Sequence, residues 1–145
     1  MTDPSQPLFL FGPGFSAKAL AKIWAGSAYG TVRSEASARA LEETSILPLA
    51  VDDASALSEA IAGAHLIISA PPGDDGCPAL RTLGEAARIA GSVSYLSTTG
   101  VYGDLDGGWA MEWSAPHPQS ARAERRDLAE QARAEDAASI AVERL

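Results

Sequence analysis

Short apolar runs alternate with alanine-rich stretches of helical character along most of the chain. Leu8–Phe11, Tyr29–Val32, Ile46–Leu49, His65–Ser69, Val93–Ser97 and Ile140–Val142 read as strands. Their apolar character is nearly continuous, as expected of parallel strands covered on both faces. Helical stretches fall near 15–25, 34–43, 54–62, 77–90 and 119–138. Gly26, Gly63 and Gly91 each follow such a stretch, where a left-handed residue commonly ends a helix. Ser34 and Asp53 stand where N-caps are expected. Strand–helix alternation with right-handed crossovers predicts a doubly wound α/β parallel sheet with helices on both faces, in strand order 3-2-1-4-5-6. The segment from Gly100 to Gln119 breaks the pattern, with four glycines, two prolines and two tryptophans. A loop of that length in a small domain is usually functional or disordered.

The first strand opens directly into Gly12-Pro13-Gly14-Phe15-Ser16-Ala17 and then a helix. Strand, G-x-G-x-x-A and helix in that order form the dinucleotide-binding fingerprint. Gly12 permits the tight turn, Gly14 lets a diphosphate approach the backbone, and Ala17 allows close helix–strand packing. The free amides of the helix start, at Phe15 and Ser16, supply donors and partial positive charge. Ligands of such sheets lie at the carboxyl ends of the strands, and other candidates sit there. Arg33 and Ser34 follow the second strand, where an arginine accommodates a 2′-phosphate and an acidic residue would select NAD. They favour NADP(H), with a solvated arginine at a helix start as the alternative. After the third strand, Asp52 or Asp53 is placed to accept from an adenine amino group, although capping alone also accounts for Asp53. Ala70, Pro71 and Pro72 end the fourth strand as a rigid wall beside the cofactor or as a plain turn.

The chain has 145 residues, a length that suits one domain with a real core. A net charge of −8, without a Lys/Arg cluster, argues against nucleic acid or an anionic membrane as partner. The single cysteine, Cys77, excludes an internal disulfide and fits a reducing compartment. The N-terminus lacks a signal-peptide pattern and no apolar run approaches a membrane span, so a soluble, cytoplasmic protein is expected.

The fifth strand ends in Ser97-Thr98-Thr99-Gly100-Val101-Tyr102-Gly103. Consecutive hydroxyls at a strand's carboxyl end can hydrogen-bond a substrate oxygen without adding charge. With Gly12-x-Gly14-x-x-Ala17, Arg33 and Ser69-Ala70-Pro71-Pro72, this segment resembles the extended and atypical short-chain dehydrogenase/reductase superfamily, of the NAD-dependent epimerase/dehydratase type. The resemblance covers nearly the whole chain and implies a Rossmann-type NAD(P)-binding domain. It also implies that Thr98, with Thr99 beside it, polarises a substrate oxygen, and that Tyr102 flanks the substrate pocket. The superfamily's proton donor is a tyrosine with a lysine four residues on, and no Tyr-x-x-x-Lys exists here. Arg122 and Arg126 stand at the matching positions. Arginine stays protonated and cannot exchange protons, but Arg126 can hydrogen-bond a ribose or phosphate; a solvated helix face is the alternative. Extended members run to about twice this length, so the substrate-binding carboxyl-terminal part is expected to be missing, and a homodimer or marginal stability is expected with it.

His65 reads as a structural histidine, and Cys77 lacks a neighbouring base for nucleophilic work. His117 lies between two prolines in the long loop and has a minor claim on the pocket. Trp109 and Trp113 suit either a lid or packing on the domain surface. Two histidines and one cysteine without ligand spacing offer no metal site. Three functions remain open at this point. The first is an NADP(H)-dependent oxidoreductase acting on a carbonyl, alcohol or sugar-nucleotide-like substrate. The second is a non-catalytic dinucleotide-binding sensor or docking module, and the third an inactive remnant.

Overall fold

The computed structural model describes residues 3, 5–136 and 140–144. Six strands form one parallel sheet: β1 (Leu8–Phe11), β2 (Ala28–Val32), β3 (Ile46–Ala50), β4 (His65–Ile68), β5 (Ser92–Ser97) and β6 (Ile140–Arg144). Their spatial order is β3-β2-β1-β4-β5-β6, the doubly wound Rossmann-type arrangement expected from the alternation. β1 has β2 on one side and β4 on the other, pairing Phe9 with Tyr29 and Leu66. The connections diverge from β1, so the crevice between the ends of β1 and β4 is the topological switch point.

Side chains of β1 alternate across the sheet as a period of two requires. Leu8 and Leu10 pack with Ala17 and Ala21 of α1 (Phe15–Ile23) and Leu41 of α2 (Glu35–Glu42). Phe9 and Phe11 face Leu57 and Ile61 of α3 (Ala54–Ile61), Ala79 and Leu83 of α4 (Pro78–Leu83) and Ala129 of α5 (Ala121–Asp136). All four β1 side chains are buried. Pro48 sits in β3, an edge strand, where a missing backbone N–H is tolerated. The expected N-caps form: Ser34 accepts from the Ser37 amide at 3.2 Å and Asp53 from the Ala56 amide at 3.0 Å.

Two local expectations are corrected. The stretch expected as one helix over 77–90 is a short α4 followed by a 3₁₀ segment, Gly84–Ile89, because Gly84 adopts φ +48° and breaks the helical path. Of the three expected helix-ending glycines only Gly63 is left-handed, at φ +70°. Gly26 and Gly91 serve close approach instead: a Cβ would stand 2.6 Å from the Gln6 carbonyl oxygen and 2.7 Å from that of Gly63, respectively.

Candidate functional site

The loop after β1 is held from both neighbouring strands. The Gly12 amide donates to Thr31 Oγ1 of β2 at 2.8 Å, and Ser69 Oγ donates to the Gly12 carbonyl at 2.5 Å. Gly12 has φ +73°, and a Cβ there would lie 2.7 Å from the Ala70 Cβ. The sequence reading of Gly12 as the turn glycine therefore has a second ground, contact with the end of β4. Pro13 leans over β2: a Cβ on Gly30 would meet Pro13 Cγ at 3.1 Å and Ile46 Cγ2 at 2.7 Å.

Beyond Pro13 the character changes. Gly14 is the N-cap of α1, and a Cβ there would meet nothing closer than the Gly12 oxygen at 4.0 Å. No side chain caps α1 and its first turn holds no acid. The first helical bond runs from the Lys18 amide to the Gly14 carbonyl, at 3.0 Å. The amides of Phe15, Ser16 and Ala17 precede the first intrahelical donor and project from the helix end. Unused donors and the positive end of the helix dipole make this an anion-accepting terminus.

A cleft of about 590 Å³ opens over this loop. Gly12, Gly14, Ala70 and Pro71 line it, together with Thr31, Lys18, Arg33 and Arg81. A second hollow of about 350 Å³ lies beyond β2, lined by Arg33, Ser34 and Asp52 among others. Arg33 borders both, is exposed, and makes no ion pair among the described residues. Asp53 lies outside both hollows and caps α3, while Pro72 is buried.

At the carboxyl end of β5 the polar groups are largely taken up internally. Thr98 Oγ1 accepts from the Gly100 amide at 3.3 Å, opening a one-turn 3₁₀ segment, Thr99–Tyr102. Tyr102 is buried, and Arg144 donates to its hydroxyl at 2.7 Å while lying over its ring. Glu130, also buried, pairs with Arg144 at 2.6 Å and holds its guanidinium above its ordinary pKa range. Arg126 is not on a solvated face. It is 8% exposed, its Nη1 donates to the Leu96 carbonyl at 2.5 Å, and its guanidinium stands 5.8 Å from the Tyr95 ring centre. Its Nε, like Ser97 Oγ, is buried without a partner among the described residues. Arg122 is exposed. Thr98, Thr99, Tyr102 and Arg126 do not line the cleft at the glycine loop; two strand spacings, about 10 Å, separate β5 from β1.

Sequence reasoning missed Thr31, Lys18, Arg81 and the Glu130–Arg144 pair. Only Lys18 carried a readable signal, one turn into α1 on the heels of the glycine loop. His65 is structural as expected, bonded to Ser92 Oγ at 2.6 Å and to the Asp3 carbonyl at 3.1 Å. Cys77 is buried at the start of α4, and Trp109 and Trp113 are 89% and 82% exposed, so neither tryptophan packs on the domain. Among the described residues no cluster of His, Cys, Asp or Glu suits a metal ion, and no helix is long and apolar enough to cross a membrane.

No protein-family model and no curated protein matches the sequence. Solved structures do. A functionally unknown conserved protein from Silicibacter pomeroyi DSS superposes with a TM-score of 0.85 at 31% identity, over 96% of this chain and 52% of its own. A candidate epimerase from Burkholderia cenocepacia J2315 gives 0.71 at 24% identity, over 97% of this chain and 54% of its own. The UDP-glucuronic acid 4-epimerase of Bacillus cereus, solved with NAD, gives 0.66 at 18% identity, over 90% and 52%. The chain spans about half the length of these structures and shares their Rossmann-type fold. NAD-dependent epimerase/dehydratase and short-chain dehydrogenase/reductase proteins are among the structures that share it.

Proposed function

We propose that this chain binds a nicotinamide dinucleotide, NADP(H) in preference to NAD(H), and serves an oxidoreductase or epimerase/dehydratase-type reaction on a carbonyl, alcohol or sugar-nucleotide-like substrate. The observation that carries the reading is the uncapped start of α1 behind an open Gly14, at the switch point of the sheet. A diphosphate fits there because, among the described residues, the amides at Phe15 and Ser16 have no acceptor and no side chain stands within 4 Å of a Cβ at Gly14. Ala70 and Pro71 form the opposite wall. Arg33 and Ser34 receive the 2′-phosphate end, an arginine being the residue that suits it, and Asp52 faces the adenine side. A bound nicotinamide supplies hydride transfer; the protein's part is to hold and orient.

In this reading Thr98 and Thr99, at the carboxyl end of β5, are the hydroxyls that would meet a substrate oxygen, as the resemblance of the Ser97–Gly103 segment implies. Arg126 holds β5 and cannot act as acid or base. A second reading, a non-catalytic dinucleotide sensor or docking module, draws support from the Tyr102 hydroxyl, which is already bonded to Arg144. Fluorescence titration with NADPH and NADH tests binding: dissociation constants above about millimolar for both would end either reading. A carbonyl-reduction screen that follows NADPH absorbance then separates enzyme from sensor.

A further inference from the structure

No carboxylate is among the described residues lining the 590 Å³ cleft, whereas Lys18, Arg33 and Arg81 are. In a chain of net charge −8 that is an uneven distribution. Two of the displaced carboxylates sit on the turn between β4 and α4. Gly73 and Gly76 close this turn with reciprocal backbone bonds of 3.0 and 3.1 Å, leaving Asp74 and Asp75 at its tip. Asp75 takes Arg81 Nη1 of α4 at 3.1 Å, and Asp74 takes Arg125 Nη2 of α5 at 2.6 Å. The Arg81–Asp75 side chains are 57% and 82% exposed, so solvent screens their attraction and the pair is weakly held.

We propose that Arg81 is a further ligand-binding residue, which exchanges the Asp75 carboxylate for the diphosphate of the dinucleotide. The inference rests on the nucleotide reading above and deepens it. Asp75 occupies one of the five N–H donors of Arg81, and its carboxylate stands in for a phosphate in the free protein. A diphosphate offers a guanidinium two-pronged contact inside a cleft free of competing acids, the stronger of the two arrangements. The exchange needs only a rotamer change in an exposed side chain, and Arg125 keeps its grip on Asp74 while it happens. Arg81 lies on α4, after β4, and Arg33 lies after β2. Arg81 therefore reads the bridge common to both nucleotides, and Arg33 the phosphate that distinguishes them.

Titration of the full chain and its variants with NADPH and with NADH tests this. Arg81→Gln is expected to weaken both nucleotides by about the same factor, roughly tenfold. Asp75→Asn is expected to tighten both, about two- to threefold, because it removes the competitor. Unchanged affinity in Arg81→Gln, or unchanged or weaker binding in Asp75→Asn, overturns the proposal. Asp75→Asn decides alone if Arg81→Gln does not fold. A wild-type chain that binds neither nucleotide overturns the parent reading, whereas normal wild-type binding with an indifferent Arg81 overturns this one only.

Discussion

The two halves of the sheet's carboxyl edge treat their polar groups in opposite ways. Around β1, β2 and β4 donors are left over among the described residues: the amides at the start of α1 have no acceptor there, and Lys18 and Arg33 line hollows without an ion pair. Around β5 and β6 the cations are spent internally, Arg126 on the Leu96 carbonyl and Arg144 on Glu130 and Tyr102. Buried polar or ionic groups without partners are costly, and the β5 side bears that cost, among the described residues, at Arg126 Nε and Ser97 Oγ, whereas the exposed donors of the β1 side are open to water or a ligand. The difference separates a region whose polar groups stay open to solvent from one whose polar groups are largely consumed in holding the fold together.

Substitutions can break that contrast. The largest effect is expected at Glu130→Ala, which strands Arg144 in a mostly buried position. The cost is about 3 kcal/mol of stability, seen as a lower denaturation midpoint, with nucleotide affinity per folded molecule unchanged; an unaltered midpoint would contradict the assignment. Gly12→Val forces a β-branched residue into a left-handed turn against Ala70, and a loss of about 2–3 kcal/mol together with nucleotide binding is expected. Arg33→Asp should reduce NADPH affinity about tenfold with little change for NADH and none in the melting temperature; equal losses would remove the 2′-phosphate assignment. Gly14→Val sharpens the contrast further, since its side chain meets open space and only the poorer N-cap costs stability, about 0.5–1 kcal/mol, while binding is lost. Trp113→Ser is expected to do least, with a stability change below about 0.5 kcal/mol.

Local features were legible in the sequence where one stretch of chain determines them. The apolar runs located all six strands, and the strand-to-helix glycine loop located the crevice, because strand burial and turn geometry are properties of consecutive residues. Ser34 and Asp53 announced their helices for the same reason. What escaped depends on partners distant along the chain. Thr31 reads as an ordinary β-branched strand residue until its hydroxyl meets Gly12, 19 residues away. Arg126 lies in a charge-rich helix that looks solvated from its composition, and only the packing of α5 against β5 buries it. Arg144 and Glu130 are 14 residues apart on different elements, beyond the reach of helical or strand periodicity.

Gly30 sits in the middle of β2 and touches no candidate ligand group, yet Pro13 rests in the space its absent side chain leaves. A methyl group added there would push on the proline ring and on Ile46 together, tilting the hinge from which the α1 amides are aimed. The contour of the loop that leads into α1 is therefore moulded by a neighbouring strand, and tuning it by mutation means redesigning the sheet beneath it.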